Sequence, residues 1–231
     1  MATNHNAAFI PLRLGGEIHP IRVAVFDCDG VLLDTMTAKV DAFRQWVLAC
    51  WPDYESVFID NVMSSFGRSR VFQIEWFFRH CLDLAPDAET LKAEVERFTA
   101  ICEPLCEQAG WLSGSSEFVT ICQEAGIPCY VLSGTPQQPL EQMVAAHHGT
   151  DRFRAIIGSP PAKPESLAAI LTREAVCAEQ VLFVGDAEAD AQAAESVGAH
   201  FAYKPSIAKR PRTAIVTEVH DLRELLGQVL L

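Results

Sequence analysis

The sequence predicts an α/β fold: a parallel-sheet core with helices on both faces, plus an inserted all-helical segment. Three observations carry this. From residue 110 onward, apolar β-branched runs alternate with amphipathic stretches, the pattern of successive strand–helix units. A similar run over 21–26 stands apart from those units, separated by residues 36–109, which have helical periodicity and hardly any strand signal. Several of the apolar runs end in residues able to do chemistry, beginning with Asp27 and Asp29.

Residues 1–8 are polar and expected to be mobile. Residues 9–14 and 17–26 flank Gly15-Gly16, which predicts a hairpin leading into the first core strand. That strand, Ile21-Arg22-Val23-Ala24-Val25-Phe26, runs straight into Asp27, Asp29 and Gly30 within IRVAVFDCDGVLLDT. Buried carboxylates are costly unless paired or metal-bound, so two at one strand end suggest a site; a strand followed by an ordinary Asp-Gly turn has the same pattern.

In the insertion, Val40, Phe43, Trp46 and Val47 recur at helical spacing until Trp51-Pro52-Asp53 ends the helix. Val71, Ile74, Phe77 and Phe78 predict a second helix after a break at Phe66-Gly67. Leu91, Val95, Phe98, Ile101 and Leu105 predict a third after Pro86-Asp87. Trp46, Phe66 and Trp76 are read as filling this segment's core rather than lining a pocket. The insertion exceeds an ordinary crossover and should lie over the strand ends as a cap. The expected division is a core of 1–35 with 110–231 and a cap of 36–109.

Beyond the insertion, Ser113-Gly114-Ser115-Ser116 opens a helix that Gly126 ends. Residues 128–132 form a strand, and Ser133-Gly134-Thr135 turns into a helix through about 147; His147-His148 reads as its C-terminus. A strand over 153–157 precedes a loop, 158–164, that carries Lys163, and a helix starts at Glu165. The strand 181–184 ends in Gly185-Asp186, and a helix over 187–197 closes at Gly198. Strand 200–203, an edge strand over 214–216 and a terminal helix over 221–231 complete the chain.

The 231 residues are 49% hydrophobic and 21% charged, as in an ordinary globular protein. A formal charge of −12 argues against a nucleic-acid surface, so an anionic substrate needs local cations. No apolar stretch reaches membrane-span length, and the first residues do not resemble a secretory signal. The eight cysteines form no C-x-x-C pair, and Cys102 and Cys106, one turn apart, have no zinc-site companions. Reduced thiols in a cytoplasmic protein are the expectation.

In an open parallel sheet the strands' carboxyl ends share one edge, so Ser133, Lys163 and Asp186 can converge on Asp27 and Asp29. Singly, each has a plainer reading: a helix cap, a surface lysine, a turn residue. Together they form an inventory for phosphate and Mg²⁺, which prefers hard oxygen ligands. D-x-D-G-V-x-x-D-T at Asp27, S-G-T at Ser133, K-P at Lys163 and G-D-x-x-x-D at Asp186 and Asp190 resemble, in order, the four motifs of the haloacid-dehalogenase-like hydrolases. The inserted helices resemble the cap of the phosphoglycolate phosphatase and β-phosphoglucomutase branch, whose core is Rossmann-like.

The resemblance, over residues 21–203, implies a Mg²⁺-dependent phosphatase acting on a small phosphorylated metabolite. It implies Asp27 as nucleophile and Asp29 as general acid and base, with the Asp29 carbonyl on the metal. Ser133, the Gly134 amide and Lys163 would hold the phosphoryl oxygens; Asp186 would complete the metal shell with Asp190 in support. Thr35 would be the hinge between core and cap. Dehalogenases of the family lack the second aspartate, so Asp29 implies phosphoryl transfer. The mutase branch carries a histidine where Lys39 stands, which counts against mutase activity. Ala187 replaces a common serine. Gly67-Arg68-Ser69-Arg70 resembles a substrate-gripping element of the cap, which makes Arg70 and Arg68, with Lys39, the specificity candidates. The rival readings are a sugar-phosphate mutase and a non-catalytic binding protein on the same fold. A mutase would show a lasting phosphoenzyme and little phosphate release, and a binder has no use for Asp27 and Asp29 together.

Overall fold

The computed structural model describes residues 8–65, 68–147 and 149–229. The expectations placed on residues 1–7, on Phe66 and Gly67, and on His148 lie outside the described residues. Six parallel strands form the main sheet in the order β5-β4-β3-β6-β7-β8. They are β3 (Val23–Phe26), β4 (Cys129–Pro136), β5 (Ala155–Ser159), β6 (Val181–Gly185), β7 (His200–Tyr203) and β8 (Thr217–Glu218).

The strand β3 is central because all four of its side chains are apolar and buried, as a strand covered on both faces requires. Ala24 and Phe26 join one core cluster with Val131, Leu182 and Val184; Val23 and Val25 join the other with Tyr130, Leu132 and Phe183. The helices α5 (Ser115–Glu124) and α6 (Gln137–Ala146) supply Phe118 and Leu140 to the first face. To the second, α7 (Lys163–Glu174) and α8 (Glu188–Val197) supply Leu167, Ile170, Ala193 and Ala194. The α/β fold with helices on both faces is as the alternation predicts.

Between β3 and α5 lie α1 (Met36–Leu48), α2 (Glu55–Ser64), α3 (Arg70–Cys81) and α4 (Ala88–Cys106). Ser69 and Asp87 cap α3 and α4 by accepting the Phe72 and Thr90 amides at 3.2 and 2.8 Å. An aromatic cluster unites the four helices: Phe43 stacks on Phe98 at 4.0 Å, and Phe77 lies 5.0 Å from Phe58 and 5.2 Å from Trp46. Trp46 is fully buried and its indole donates to Glu94, while Trp76 stacks on His80, so both serve packing.

An antiparallel hairpin, β1 (Ile10–Leu14) and β2 (Glu17–Ile21), forms its own two-stranded sheet. It lies against the 3₁₀ segment Leu222–Val229, and the Gly15 amide donates to Thr217 Oγ1 at 2.8 Å.

Several boundaries differ from expectation. A helix, α2, occupies 55–64, because Phe58, Ile59 and Val62 resume the apolar stripe after the Pro52 stop. The strand β4 continues through Ser133-Gly134-Thr135, with a register irregularity against β5, so Ser133 is not a helix cap. Lys163 is the first residue of α7 rather than a loop residue. The third strand of the expected core begins at Ala155 and absorbs Gly158 and Ser159. The edge strand is Thr217–Glu218, since Val216 is 77% exposed and Thr217 pairs with Ala202. The C-terminal segment is 3₁₀, broken at Gly227 where φ is 63°.

Phe58 is fully buried among Phe43, Trp46 and Phe77. Phe58→Ala is expected to cost about 3–5 kcal/mol in urea unfolding, since an aromatic vacancy in a ring cluster collapses poorly. A loss near zero would show that the helices do not depend on this cluster.

Candidate active site

Two glycines let the strand ends approach. The Asp27 amide, just past β3, donates to the Val184 carbonyl at 2.9 Å and stays in the ladder with β6. The chain then turns at Gly30 (φ 77°), where a Cβ would lie 2.6 Å from Asp186 Oδ2 and 2.9 Å from Met36 Cγ. At Gly185 a Cβ would fall 2.3 Å from the Asp190 Cβ. Any side chain at either position would push the Asp186–Asp190 loop away from Asp27.

Lys163 Nζ donates to Asp27 Oδ1 at 2.7 Å and to Asp190 Oδ1 at 2.5 Å. A cation on the first turn of α7 opposes the helix dipole, a cost that these two carboxylates offset. The second oxygen of Asp190 accepts the Ala187 amide at 3.1 Å, so both of its oxygens are engaged within the protein. Asp186 differs. Its Oδ2 is buried without a hydrogen-bond partner, and Asp27, Asp186 and Asp190 each offer an oxygen within 4.8 Å of the others. A buried, unpartnered carboxylate oxygen among hard oxygen donors fits a divalent cation of the Mg²⁺ kind.

Asp29 sits in a separate circle of donors. Thr35, at the N-cap of α1, makes no capping bond; its hydroxyl donates to Asp29 Oδ1. Lys39, one turn into α1, donates to Asp29 Oδ2 and, at 2.6 Å, to Thr135 Oγ1. The hydroxyls of Ser133 and Thr135 each lie 3.4 Å from Asp29 Oδ2, and the Thr135 amide donates to Ser133 Oγ at 3.1 Å. The specificity candidate Lys39 thus stands on Asp29 at the wall of the site. Thr135 and the buried Lys204, just beyond β7, were not singled out. The strand-end placement that pointed to Ser133 would also have pointed to them.

A cavity of about 50 Å³ opens over these groups, and Lys39, Arg68, Arg70, Ser133 and Gly134 are among its walls. Arg70 is 6% exposed; its guanidinium donates to Thr99 Oγ1 at 2.6 Å and lies over the Phe98 ring. No carboxylate pairs with it among the described residues, so it brings uncompensated positive charge to the cavity. Arg68 is exposed, with its guanidinium over the Phe72 ring at the rim.

Burial pushes the Asp27 carboxyl up to about 7, with Lys163 pulling it down and Asp190 adding to the rise. Burial, then the charges of Asp27 and Asp190, hold Asp186 well above the carboxylate range. Burial acts on Asp29 in the same sense, but Lys39 and Thr35 outweigh it and keep that carboxyl below its ordinary value. The site thus keeps one ionised carboxylate beside a group of carboxyls that lack sufficient counter-charge.

A carboxyl with a raised folded pKa stabilises the fold below its unfolded value of 3.8 and loses that contribution as pH rises through about 7. In chelator-treated protein, Asp27→Asn is therefore expected to melt above wild type by a margin that widens between about pH 4 and about pH 7. Adding Mg²⁺ should narrow the margin. A margin independent of pH would contradict this electrostatic picture.

The family model of haloacid dehalogenase-like hydrolases matches residues 21–198. The chain is 25% identical over 211 residues to a phosphoglycolate phosphatase of Rhodobacter capsulatus, covering 89% of this chain and 95% of that one. Its fold matches CbbY from Rhodobacter sphaeroides, solved in complex with phosphate, with a TM-score of 0.73 at 18% identity over 89% of this chain and 96% of that one. It also matches β-phosphoglucomutase from Clostridium difficile, with a TM-score of 0.70 at 17% identity over 80% and 85% of the two chains. The chain belongs to the haloacid dehalogenase-like hydrolase family.

Proposed function

We propose that this protein is a Mg²⁺-dependent phosphatase that hydrolyses a small phosphomonoester through an aspartyl phosphate on Asp27. The observation that carries the reading is the pairing of two distinct carboxylate environments. Asp27 contacts Lys163 next to the unpartnered Asp186 oxygen, and Asp29 stands apart in its own ring of donors. Nucleophile and proton-transfer group need separate settings: a cation on Asp27 and Asp186 would favour the ionised nucleophile, and displacement of Lys39 from Asp29 would let that carboxyl take up a proton.

Asp27, Asp186 and the Asp29 carbonyl would hold the ion, with Asp190 supporting from behind. Once bound, the ion offsets charge on the carboxylates and on the phosphoryl oxygens. Asp27 attacks phosphorus while Ser133 Oγ, the Gly134 amide and Lys163 Nζ hold the equatorial oxygens. Asp29, protonated once its contact with Lys39 is broken, gives that proton to the leaving oxygen, then takes one from the water that cleaves the aspartyl phosphate. Thr35 and Lys39 occupy Asp29 at rest, so the leaving group must displace one of them to reach it.

The helices over 36–109 act in this proposal as a cap on the core of 1–35 and 110–231, with Thr35 at the hinge, and closure excludes bulk water. Lys39 and Arg70 suit a substrate with a second anionic group near the ester. Phosphoglycolate is such a compound, as the name of the Rhodobacter capsulatus relative suggests. Arg68 would meet the distal part at the rim. A small metabolite agrees with a cytoplasmic setting, and no described helix is long and apolar enough to cross a membrane. The engagement of Lys39 with Asp29 leaves no free shuttle at the position where mutases carry histidine, which favours hydrolysis over mutase chemistry.

Phosphate release should be measured on phosphoglycolate, sugar phosphates, sugar bisphosphates and nucleotides, with Mg²⁺ and with chelator. Release is expected only with Mg²⁺, falling about a thousandfold or more in Asp27→Asn and about a hundredfold to a thousandfold in Lys163→Ala. No release on any substrate, or undiminished release by Asp27→Asn, would refute the mechanism. A stable phosphoenzyme with little release would favour a mutase.

A further inference from the structure

A second cavity, of about 300 Å³, lies between α4 and α6 and shares Lys39, Arg70 and Thr135 with the catalytic cavity. Its remaining wall includes Cys102, Glu103, Cys106, Glu107 and Met143. The Sγ atoms of Cys102 and Cys106 are 3.6 Å apart, and the two residues are 1% and 4% exposed. Two thiols in contact line a cavity that also carries Lys39 and Arg70, cations able to stabilise a thiolate.

We propose that Cys102 and Cys106 form an oxidant-reactive dithiol site, which a hydroperoxide entering this cavity converts to a disulfide. The Cys102 thiolate attacks the terminal peroxide oxygen and the O–O bond breaks. Cys102 becomes a sulfenic acid, and the alkoxide leaves as an alcohol after taking up a proton. Cys106 sulfur then attacks Cys102 Sγ, the S–O bond breaks, and the hydroxyl leaves as water with the Cys106 proton. Two thiols are oxidised and one hydroperoxide is reduced, to an alcohol and water.

The division of roles has support beyond proximity. The hydrogen bond from Cys106 lowers the Cys102 thiol against burial, aided by Lys39 and Arg70, whereas Cys106 is raised. Burial holds the thiol of Cys28, beside the catalytic aspartates, well above its ordinary range, and Cys129 with burial does the same to Cys122.

Closure requires α4 to yield locally. Side chains four apart on a helix have Cβ atoms about 5–6 Å apart, and a disulfide needs about 3.5–4.5 Å. Pro104 lies between the two cysteines inside α4. It has no N–H for the Ala100 carbonyl, so this turn is the one already missing a bond. Its displacement has a short path to the hinge. Beyond the last turn of α4, Gly110 accepts the Asp34 amide at 2.9 Å, and the Leu112 amide donates to Leu32 at 2.8 Å. Asp34 adjoins Thr35. The oxidised form therefore has a disturbed hinge, along with altered positions for Lys39 and Arg70.

The test treats the full chain with hydrogen peroxide, alkylates remaining thiols and maps peptides, with phosphate release followed in parallel. The expected result is a Cys102–Cys106 disulfide, at least a tenfold loss of release reversed by dithiothreitol, and no such loss in Cys102→Ala. Alkylated Cys102 and Cys106 after peroxide treatment would overturn the site. A disulfide with unchanged release, or equal loss in Cys102→Ala, would overturn its link to the hinge. Peptide mapping on wild type needs neither the variant nor a known substrate. Failure of the phosphatase reading is thus distinguishable from failure of this one.

Discussion

One charge imbalance organises the molecule. Asp27, Asp186 and Asp190 are buried together, and Lys163 bonds Asp27 and Asp190 but makes no hydrogen bond to Asp186. A fold tolerates such a cluster only if everything around it fixes the geometry, because loose carboxylates would separate and seek water. The rest of the core reads as that fixation: β3 and β6 lie adjacent in register, Gly30 and Gly185 remove the Cβ atoms that would hold the loops apart, and α7 presents Lys163 from its first turn. The same imbalance is what a divalent cation would relieve.

Asp29 belongs to a different circuit, and that circuit crosses between structural units. Thr35 and Lys39 come from the start of the inserted helices, Ser133 and Thr135 from the end of β4. Whatever moves α1 relative to β4 must break or remake bonds to the carboxylate proposed to transfer protons. Under the proposed mechanism, the position of the inserted helices and the proton-transfer competence of Asp29 would be a single variable rather than two coupled ones.

The features legible in the sequence were those written locally. Asp27 and Asp29 follow a run of buried apolar residues, and the Asp186–Asp190 spacing is one helical turn, so residue order alone located them. Strand–helix alternation likewise predicted the sheet, because burial on both faces leaves a continuous apolar run such as Val181–Val184. Legibility ended where long-range geometry decides. Lys39 lies on α1 with nothing nearby in sequence to show that it would meet Thr135. Ser133-Gly134-Thr135 reads locally as a turn into a helix, yet pairing with β5 carries the strand on to Pro136. The helix α2 was hidden by Pro52, a real stop signal that the chain obeys for only a few residues. Arg70 was visible as a candidate, but not its burial against Phe98, which turns a surface-type side chain into a fixed charge.

The hairpin at Ile10–Ile21 and the segment around Thr217 to Leu226 flank the region that the family model covers, and they pack on each other. The hydrogen bond from Gly15 to Thr217 joins residues 202 positions apart. During synthesis the hairpin emerges early and must wait for almost the whole chain before its partner exists. The contact is costly in loop closure, and forms last unless the intervening sheet has already brought its ends together. A chain stopped short of Thr217 therefore lacks the segment that this hairpin packs on, and the apolar side chains of Ile10, Leu12 and Leu14 lose part of their cover.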